Sequence, residues 1–283
     1  DASVIMQTAD GILAERFLHD ADDSSIPHFI RFPVETPAEW EEMKERYRLD
    51  DPAREVPDAV VADARLARDE GRSVRVFFTG FYGQLRHWMG MEGLSLALFD
   101  YPEMIHDMVE HWSELALRQL HQLPDDVVVD QIDWWEDMAG RNGPLLSPTL
   151  FRRFLQPGYR RVMAEAQRRG CALGQVDCDG NPHDLVANWL EEGVNIMFPL
   201  EVAAGVDPAA WRREFGRDLR LRGGIAKAPL VEGGSAIDRE LERVRPLLEE
   251  GGYIPHLDHL VPPDSPYQHY CQYLEKKRQL IGR

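Results

Sequence analysis

Residues 172–202 read ALGQVDCDGNPHDLVANWLEEGVNIMFPLEV and contain two apolar runs with a helical segment between them. The run at 172–177 predicts a strand. Asn181, which a proline follows, is the expected N-cap of the helix, and Gly193 lies just beyond the expected helix end. The run at 194–202 predicts a second strand. Because two strands joined by a helix normally run in parallel, this stretch predicts a parallel sheet.

The same alternation of strand and helix extends over residues 74–280. Six apolar runs predict the strands: VRVFFTGF (74–81), VVVDQIDWW (127–135), ALGQVD (172–177), VNIMFPLEV (194–202), LRLRGGI (219–225) and YIPHL (253–257). Helices are expected near 102–123, 147–170, 181–193, 207–216, 236–250 and 266–280. This pattern indicates an α/β fold, either an open doubly wound sheet or a (β/α) barrel. No Gly-x-Gly-x-x-Gly follows the first strand, which weakens the dinucleotide-binding form of the open sheet.

The first 70 residues have a different character. The runs SVIMQT and ILAERFL flank Asp10-Gly11, a strong turn signal, and predict a β-hairpin. A polar region with several prolines follows, in which a helix is expected to start at Thr36. No second domain boundary is evident. The 283 residues are therefore interpreted as one domain, with the hairpin and irregular region at 1–70 and the strand–helix repeats at 74–280.

The composition argues against several classes of protein. The net charge is −17, from 32 basic and 49 acidic side chains, which argues against a nucleic-acid-binding or membrane-surface-binding protein. No apolar run approaches the ~20 residues that a membrane helix needs, and no signal peptide is visible. Three cysteines are too few for a disulfide framework, so we expect reduced thiols and a cytoplasmic protein.

Reactive side chains cluster where the predicted strands end. In a barrel, the active site lies at these ends, on the loops that lead into the helices. Carboxylates and histidines at the ends of several strands indicate an acid/base site or a metal site, and nearby arginines could bind a substrate carboxylate. The candidate residues are Tyr82, Arg86, Asp133, Trp135, Glu136, Asp137, Asp177, Asp179, Asn181, Arg222, His256 and His259.

Ordinary structural roles stay open for these candidates. Asp179 also suits a turn before Asn181, and His259 can simply bind a loop carbonyl. Glu136 can be a carboxylate at the start of a surface helix, and Trp135 can be a packing residue. The sequence has no C-x-x-C, H-E-x-x-H or G-x-S-x-G motif, which leaves less support for a thiolate zinc site and for two common classes of hydrolase.

Several segments, in the same order, resemble the uroporphyrinogen decarboxylase superfamily. They are WEDMAGRNGPLLSPTLFRRFLQPGYRR (135–161), VDCDGN (176–181), FPLEVAAGVDP (198–208), LRLRGGIAKAPL (219–230) and GGYIPHLDHLVPPDSPYQHYCQYLE (251–275). The resemblance implies a (β/α)8 barrel of the TIM type, with its pocket at the C-terminal mouth of the strands. It also implies one of two activities. One branch decarboxylates the acetate side chains of uroporphyrinogen III without a cofactor, and the other contains zinc-dependent methyltransferases that use a corrinoid protein.

The sequence departs from the decarboxylase branch of this superfamily. The M-R-Q-A-G-R segment and the catalytic aspartate of the first two family strands are not found, and no tyrosine follows Tyr82 after the G-F-x-G turn. The first strand here resembles the third family strand, so we expect the first two barrel strands to be missing. The open edges would then be covered by the hairpin or by a second subunit in a homodimer. These departures and the acidic charge argue against binding of an octacarboxylate porphyrinogen.

The methyltransferase branch carries an H-x-C-G-N motif and a later cysteine. Here Asp177 stands in place of that histidine, Asp179 in place of the first cysteine and His259 in place of the later one. The resemblance therefore implies a zinc site made of these three residues. We add Glu136 as a candidate fourth ligand. The second imidazole nitrogen of His259 should donate to a carboxylate or carbonyl, and Asp258 is the nearest candidate in sequence. Two oxygens and one nitrogen form a harder ligand set, which is less suited to activating a thiol.

We hypothesise metal-assisted methyl transfer from a small methylated substrate to a corrinoid on a partner protein or to a thiol, with the zinc acting as a Lewis acid. The catalytic candidates are Glu136, Tyr82 and Arg86, and the substrate-binding candidates are Trp135, Asn181, Arg222 and His256. Two alternatives stay open. One is a cofactor-independent decarboxylase of a porphyrinogen or a smaller acid, with Arg86 or Arg222 holding the carboxylate. The other is a non-catalytic ligand-binding barrel.

Overall fold

The computed structural model describes residues 3–17 and 27–282. Its N-terminal part is an antiparallel sheet of three strands, in the order β1 (Ser3–Gln7), β2 (Leu13–Phe17) and β3 (His28–Arg31). The pairing of β1 with β2 around Asp10-Gly11 confirms the predicted hairpin, whereas β3 is an addition that the sequence analysis does not predict. The last residue of the predicted hairpin and the polar residues up to 26 lie outside the described part.

The main sheet has six parallel strands in the described residues. They are β4 (Arg75–Thr79), β5 (Gln131–Trp135), β6 (Leu173–Asp177), β7 (Ile196–Phe198), β8 (Arg220–Ile225) and β9 (Tyr253–Leu257). Each strand lies beside its neighbour in the chain, so the spatial order is also β4 to β9. Repeated strand–helix units give this order in a (β/α) barrel, whereas a doubly wound sheet changes direction at a switch point. The predicted parallel sheet and its six strands are therefore confirmed.

The sheet is open rather than closed in the part of the chain that the structure describes. Its edges are β4 and β9, which do not pair with each other, and the N-terminal sheet pairs with neither of them. Phe77 of β4 is 62% exposed and Ile254 of β9 is 57% exposed. These six strands therefore do not form the closed eight-stranded barrel that the resemblance implies.

The connections between the strands are helical. The helices are α1 (Pro37–Arg46), α2 (Asp58–Asp69), α3 (Phe81–Asp100), α4 (Pro102–Gln122), α5 (Gln156–Arg168), α6 (Val186–Glu191), α7 (Pro208–Phe215), α8 (Pro229–Glu232), α9 (Ser235–Glu250) and α10 (Tyr267–Leu280). None of the described helices is long and apolar enough to cross a membrane. The sequence pattern does not predict α3, because the first five residues of this helix are all buried and show no polar face, and because Gly90, with a φ of 70°, interrupts the helical spacing.

Three predicted elements are interrupted in the structure. The helix expected at 147–170 begins with the turn Pro148–Leu150 and the π-helical turn Phe151–Leu155 before α5. The helix expected from Asn181 is a 3-10 turn, His183–Leu185, followed by α6. The strand expected at 194–202 is limited to β7, since Pro199 has no N–H for the ladder and Leu200 has a φ of 63°. A two-residue ladder, Ala139–Gly140 with Gly143–Pro144, follows β5.

The strand register places the ends of three strands in one row. Trp135 of β5 lies opposite Asp177 of β6, and Asp177 lies opposite Phe198 of β7. Because side chains alternate along a strand, these three project to the same side of the sheet. Their neighbours Trp134 and Val176 project to the other side and are buried in the core. The register therefore determines which side chains meet at the C-terminal edge.

Candidate functional site

A cavity of about 380 Å³ lies at the carboxyl ends of the parallel strands. Barrel enzymes bind their substrates at this end. The walls come from the ends of β5, β6 and β7, from β9 and from the loop that follows β9. Six of the candidate residues named from the sequence line the cavity: Trp135, Asp137, Asp177, Asp179, His256 and His259.

Three aspartates meet in this cavity and form what we call the acidic cluster. A ligand oxygen from each of Asp137, Asp177 and Asp179 lies within 4.8 Å of the other two. The sequence places Asp137 at a strand end but does not indicate that it is a ligand. Asp137 has a φ of 45°, in the left-handed region that few non-glycine residues adopt. Spacing along the sequence does not reveal such a turn.

Asp137 is held by two neighbours. The backbone N–H of Asp179 donates to Oδ1 of Asp137 at 3.2 Å. Arg86 donates from Nη1 to the backbone oxygen of Asp137 at 3.0 Å, and its Nη2 lies 3.8 Å from the carboxylate Oδ2. The guanidinium of Arg86 also lies over the ring of Trp135, 5.2 Å from its centroid. Arg86 thus provides one positive charge beside three carboxylates, and the cluster stays negative.

The acidic cluster perturbs the ionisation of its members. Burial, together with the negative charges of Asp137 and Asp179, raises the pKa of Asp177 to about 7. Burial and Asp137 also raise the pKa of Asp179, although the neighbouring His259 acts in the opposite direction. Carboxylates this close to one another do not all ionise without a counter-charge, so the cluster holds either a proton or a cation near neutral pH.

His259 lies beside the cluster. Its Nε2 atom is 3.4 Å from Oδ2 of Asp179, so the structure brings together two of the residues predicted to share a metal. The prediction that Asp258 supports His259 is wrong. Asp258 is 1% exposed, and its carboxylate accepts hydrogen bonds from the backbone N–H groups of Val202 and Lys227, each at 3.0 Å. Asp258 therefore anchors the start of the loop after β9.

Glu136 and Tyr82, two of the catalytic candidates, are buried and do not line the cavity. Glu136 is completely buried; it accepts hydrogen bonds from the N–H of Gly83 at 2.7 Å and from the hydroxyl of Tyr159. Burial raises the pKa of Glu136 to about 8. Tyr82 is 2% exposed, and burial raises the pKa of its hydroxyl to about 12. The structure therefore does not bring Glu136 into the acidic cluster as a further ligand.

The remaining substrate-binding candidates differ in their positions. His256 lines the cavity, its Nδ1 is 2.7 Å from the backbone oxygen of Leu257, and burial lowers its pKa. Arg222 is not part of the cavity lining; its guanidinium lies over the ring of Phe198 at 4.6 Å, and its charge opposes the rise that burial causes in the pKa of Asp177. Asn181 caps the turn after the cluster, because its Oδ1 accepts a hydrogen bond from the N–H of His183 at 3.3 Å. Of these three candidates, only His256 faces the cavity directly.

The donor set suits a divalent cation that prefers oxygen. Cys178, which lies between two of the aspartates in sequence, is buried, and its sulfur accepts a hydrogen bond from the N–H of Met138 at 3.3 Å. It therefore does not replace the sulfur ligands of the methyltransferase branch. Zn²⁺ accepts carboxylate and imidazole ligands. Three carboxylates without a thiolate suit Mg²⁺ or Mn²⁺ equally well.

Comparisons with known proteins agree with the resemblance seen in the sequence. The family model "Uroporphyrinogen decarboxylase (URO-D)" matches residues 19–279. A uroporphyrinogen decarboxylase of Granulibacter bethesdensis is 27% identical over 137 residues, which are 48% of this chain and 39% of that protein. The match thus spans well under half of the relative's length.

A solved structure shares the fold. A methyltransferase from Methanosarcina mazei superposes with a TM-score of 0.60 at 12% sequence identity, over 90% of this chain and 72% of that one. At this identity the likeness shows the fold alone. The family assignment instead comes from the sequence model, which extends from before β3 into α10. On that evidence, the chain belongs to the uroporphyrinogen decarboxylase (URO-D) family.

Proposed function

We propose that this protein catalyses metal-assisted methyl transfer from a small methylated substrate. The observation that carries the proposal is the convergence of Asp137, Asp177 and Asp179 in one cavity at the ends of the parallel strands. A divalent cation would remove the repulsion among these carboxylates and would hold them in their ionised form. The choice of this branch of the family over the other rests on the carboxylates and the histidine at positions where the methyltransferase branch carries its metal ligands.

The residues around the cluster have distinct roles in this proposal. The three aspartates would hold the metal, and His259 lies close enough to Asp179 to add a nitrogen ligand. When bound, the metal supplies Lewis acidity to the atom that carries the methyl group. Trp135, Phe198 and His256 line the cavity with apolar and aromatic surface, which would exclude water and orient a small substrate against the cluster.

The acceptor of the methyl group is inferred from the family resemblance. We propose a corrinoid on a partner protein or a thiol. The cluster favours the corrinoid, because a metal with oxygen ligands activates a thiol less well than one with sulfur ligands. Zinc stays the first candidate for the metal, with manganese or magnesium as alternatives that the carboxylate-rich donor set admits.

Decarboxylation of a small acid is the second candidate function. Arg222 lies over Phe198, which lines the cavity, and it hydrogen-bonds to Oε1 of Gln175 at 3.1 Å. It could hold a substrate carboxylate. Asp177, with a pKa raised to about 7 by burial and by Asp137 and Asp179, could then return a proton to the carbanion after CO₂ is lost. The partial identity to a uroporphyrinogen decarboxylase also supports this candidate.

We also propose that the six parallel strands are part of a (β/α)8 barrel. Their sequential order is the order found in such barrels. The two unpaired edges, β4 and β9, leave a side of the sheet at which two further strands would complete the ring. Closure would also cover Phe77 and Ile254, the large apolar side chains that are exposed on the edge strands.

Metal content is the first test of the proposed function. Protein purified without chelator should contain about one equivalent of zinc or manganese, measured by elemental analysis. Most of this metal should be lost in each of three single variants, Asp137→Asn, Asp177→Asn and Asp179→Asn. Asp126→Asn is the matched control, because it removes the same charge from an exposed ion pair with Arg65. A metal content far below one equivalent that none of the three substitutions changes would contradict the site.

Activity then separates the two candidate functions. Cob(I)alamin and a panel of small methyl ethers and methyl amines provide the acceptor and the donors, and loss of the cob(I)alamin absorption reports methyl transfer. We expect turnover that requires the divalent metal and is lost in Asp177→Asn. Release of CO₂ from a small carboxylic acid in the presence of a chelator would instead support the decarboxylase.

A further inference from the structure

The carboxyl group of Glu136 occupies the N-terminal end of α3. It accepts a hydrogen bond from the N–H of Gly83 at 2.7 Å, and the N–H groups of Phe81 and Tyr82 also stabilise its charged form. Free N–H groups at the start of a helix attract an acidic group. Here a side chain at the end of the next strand along the chain, β5, fills that place, and none of its surface is accessible to solvent.

Glycines make this approach possible. A Cβ atom at Gly80 would lie 2.1 Å from Cδ of Glu136, and one at Gly83 would lie 2.5 Å from the backbone oxygen of Trp135. A third glycine, Gly158, lets α5 pack against Phe81, since a Cβ there would be 2.5 Å from that ring. The motif G-F-Y-G at 80–83 therefore needs its two glycines, because the start of α3 lies directly on the carboxyl group of Glu136.

Tyr159 of α5 completes the contact. Its hydroxyl donates to Oε1 of Glu136, and its ring stacks on Phe151 of the π-helical turn at 5.6 Å. Both carboxyl oxygens of Glu136 thus have donors from different helices. The carboxyl group joins β5, α3 and α5 at one buried point.

Arg86 extends this contact to the acidic cluster. It lies four residues after Tyr82, on the same face of α3, and its guanidinium is 6.0 Å from the centre of the Tyr82 ring. From there it donates to the backbone oxygen of Asp137 at 3.0 Å. Asp137 has a positive φ and needs such support to hold its conformation. Any shift of the start of α3 would therefore move Arg86 away from Asp137.

We propose that Glu136 and Tyr159 form a positioning pair that fixes the start of α3 and so holds Arg86 against Asp137. The proposal deepens the proposed function, because Asp137 belongs to the acidic cluster that would bind the metal. Glu136 then acts through Arg86 and does not touch metal or substrate. A plain packing role would instead affect stability alone, with no specific effect on Asp137.

Hydrogen–deuterium exchange of the metal-free protein tests this coupling. In Glu136→Met and in Arg86→Met, the amides of residues 136–141 should exchange about tenfold faster, since each variant loses a hydrogen-bonding group of this contact. Exchange in α9 should not change. The amides of residues 136–141 should exchange no faster in the double variant than in either single variant, because the two substitutions act on the same contact. Tyr159→Phe should give a smaller change in the same direction, and it keeps the ring packing if Glu136→Met folds poorly.

Two further variants control for loss of packing. Glu136→Gln should keep most of the protection, because its amide oxygen can still accept from Gly83 while its NH₂ donates to Tyr159. Glu192→Gln should leave 136–141 unchanged, although Glu192 is also a buried carboxylate, bonded to Arg160 and Gln156. The proposal is overturned if Arg86→Met leaves these amides protected, or if the effects of Glu136→Met and Arg86→Met multiply.

Calorimetric titration with Mn²⁺ separates this inference from the proposed function. If the native protein binds the ion, Glu136→Met should change its Kd, and the same substitution in an Arg86→Met background should have no further effect, within about twofold. A further effect of Glu136→Met in that background would overturn the positioning role. If the native protein binds no cation, the proposed function fails, and the exchange experiment still decides whether the pair positions Asp137.

Discussion

The Nε2 atom of His259 lies 3.4 Å from Oδ2 of Asp179. This contact joins the loop after the last strand to the loop after β6. Both residues occupy positions at which the family resemblance implies metal ligands, and the fold brings them together at one mouth. Asp179 also belongs to the acidic cluster with Asp137 and Asp177. Asp179 is therefore shared between the acidic cluster and His259, so the imidazole lies beside the position at which the cluster would bind a cation.

Cation binding should strengthen as the pH rises. Burial and the charges of Asp137 and Asp179 raise the pKa of Asp177 to about 7 in the absence of metal, and only the ionised carboxylate is a good ligand. Between pH 5 and pH 7 the affinity for Mn²⁺ should rise by up to about tenfold per pH unit and level off above it. Calorimetry at fixed ionic strength measures this dependence. A constant affinity over the whole range would show that Asp177 is not a ligand.

The fold was largely predictable because apolar strands alternate with capped helices. Asn181 and Ser147 are examples, as each begins a helical turn where the sequence indicates one. The start of α3 was not predictable, since Phe81 and its neighbours are buried on all sides and show no helical period.

The site was predictable only where strand ends define it. Asp177 is the last residue of β6, and His259 lies two residues after the end of β9. The structure brings both side chains to the cavity, as their positions at strand ends predict. The place of Asp137 depends on a left-handed backbone conformation that its sequence does not signal. Glu136 is adjacent in sequence to Asp137, yet it is turned into the core by the glycines at the start of α3. Burial of this kind depends on tertiary packing and not on local pattern.

The stability of the metal-free protein should fall as the pH rises towards 8. Burial raises the pKa of Glu136 from the ordinary 4.5 to about 8, so the folded protein binds more protons than the unfolded chain between these values. Its stability then decreases with rising pH in this window, by up to about 1.4 kcal/mol per pH unit, and becomes constant above it. Urea unfolding at pH 5.5, 7.0 and 8.5 with chelator present measures the slope.

Glu136→Gln isolates this contribution. Asp177 also has a raised pKa, of about 7, but above pH 7 it is mostly ionised and contributes little slope. The difference between native protein and Glu136→Gln in the slope of stability against pH, measured from pH 7 to pH 8, therefore reports the ionisation of Glu136. Equal slopes for the two proteins would mean that the carboxyl group ionises normally in the folded state.

The cap at Asn181 should contribute less to stability than the cap at Asp207. The side chain of Asn181 accepts from the N–H of His183 at 3.3 Å and caps only a short 3-10 turn. Asp207 accepts from the N–H of Ala209 at 2.9 Å and caps the longer α7. We expect Asn181→Ala to cost about 0.5 kcal/mol and Asp207→Ala about 1 kcal/mol. Denaturant unfolding measures both losses of stability. A larger loss in Asn181→Ala than in Asp207→Ala would contradict the idea that the length of the capped helix decides the contribution of the cap.

The contact between His183 and Glu214 should add a small stabilisation at low pH. Burial lowers the pKa of His183, but the hydrogen bonds to Glu214 at 2.8 Å and to Asp184 outweigh it and raise the pKa overall. The contribution is complete below the ordinary pKa of 6.5 and is lost as the pH rises through the higher folded value. Both side chains are more than one-third exposed, so we expect well under 1 kcal/mol. In Glu214→Gln, NMR titration of His183 should give a lower pKa; an unchanged value would remove Glu214 as the cause.

The close approach of Gly80 to Glu136 leads to the last prediction. A Cβ atom at Gly80 would lie 2.1 Å from Cδ of the buried carboxyl group, so Gly80→Ala should destabilise the fold by about 2 kcal/mol. Gly140→Ala is the control, because nothing lies within 4 Å of the added atom, and it should change stability by less than about 0.5 kcal/mol. In a Glu136→Ala background the clash is absent, so Gly80→Ala should cost much less there. Urea unfolding of the four proteins gives the coupling, and an equal cost of Gly80→Ala in both backgrounds would show that the carboxyl group does not occupy that space.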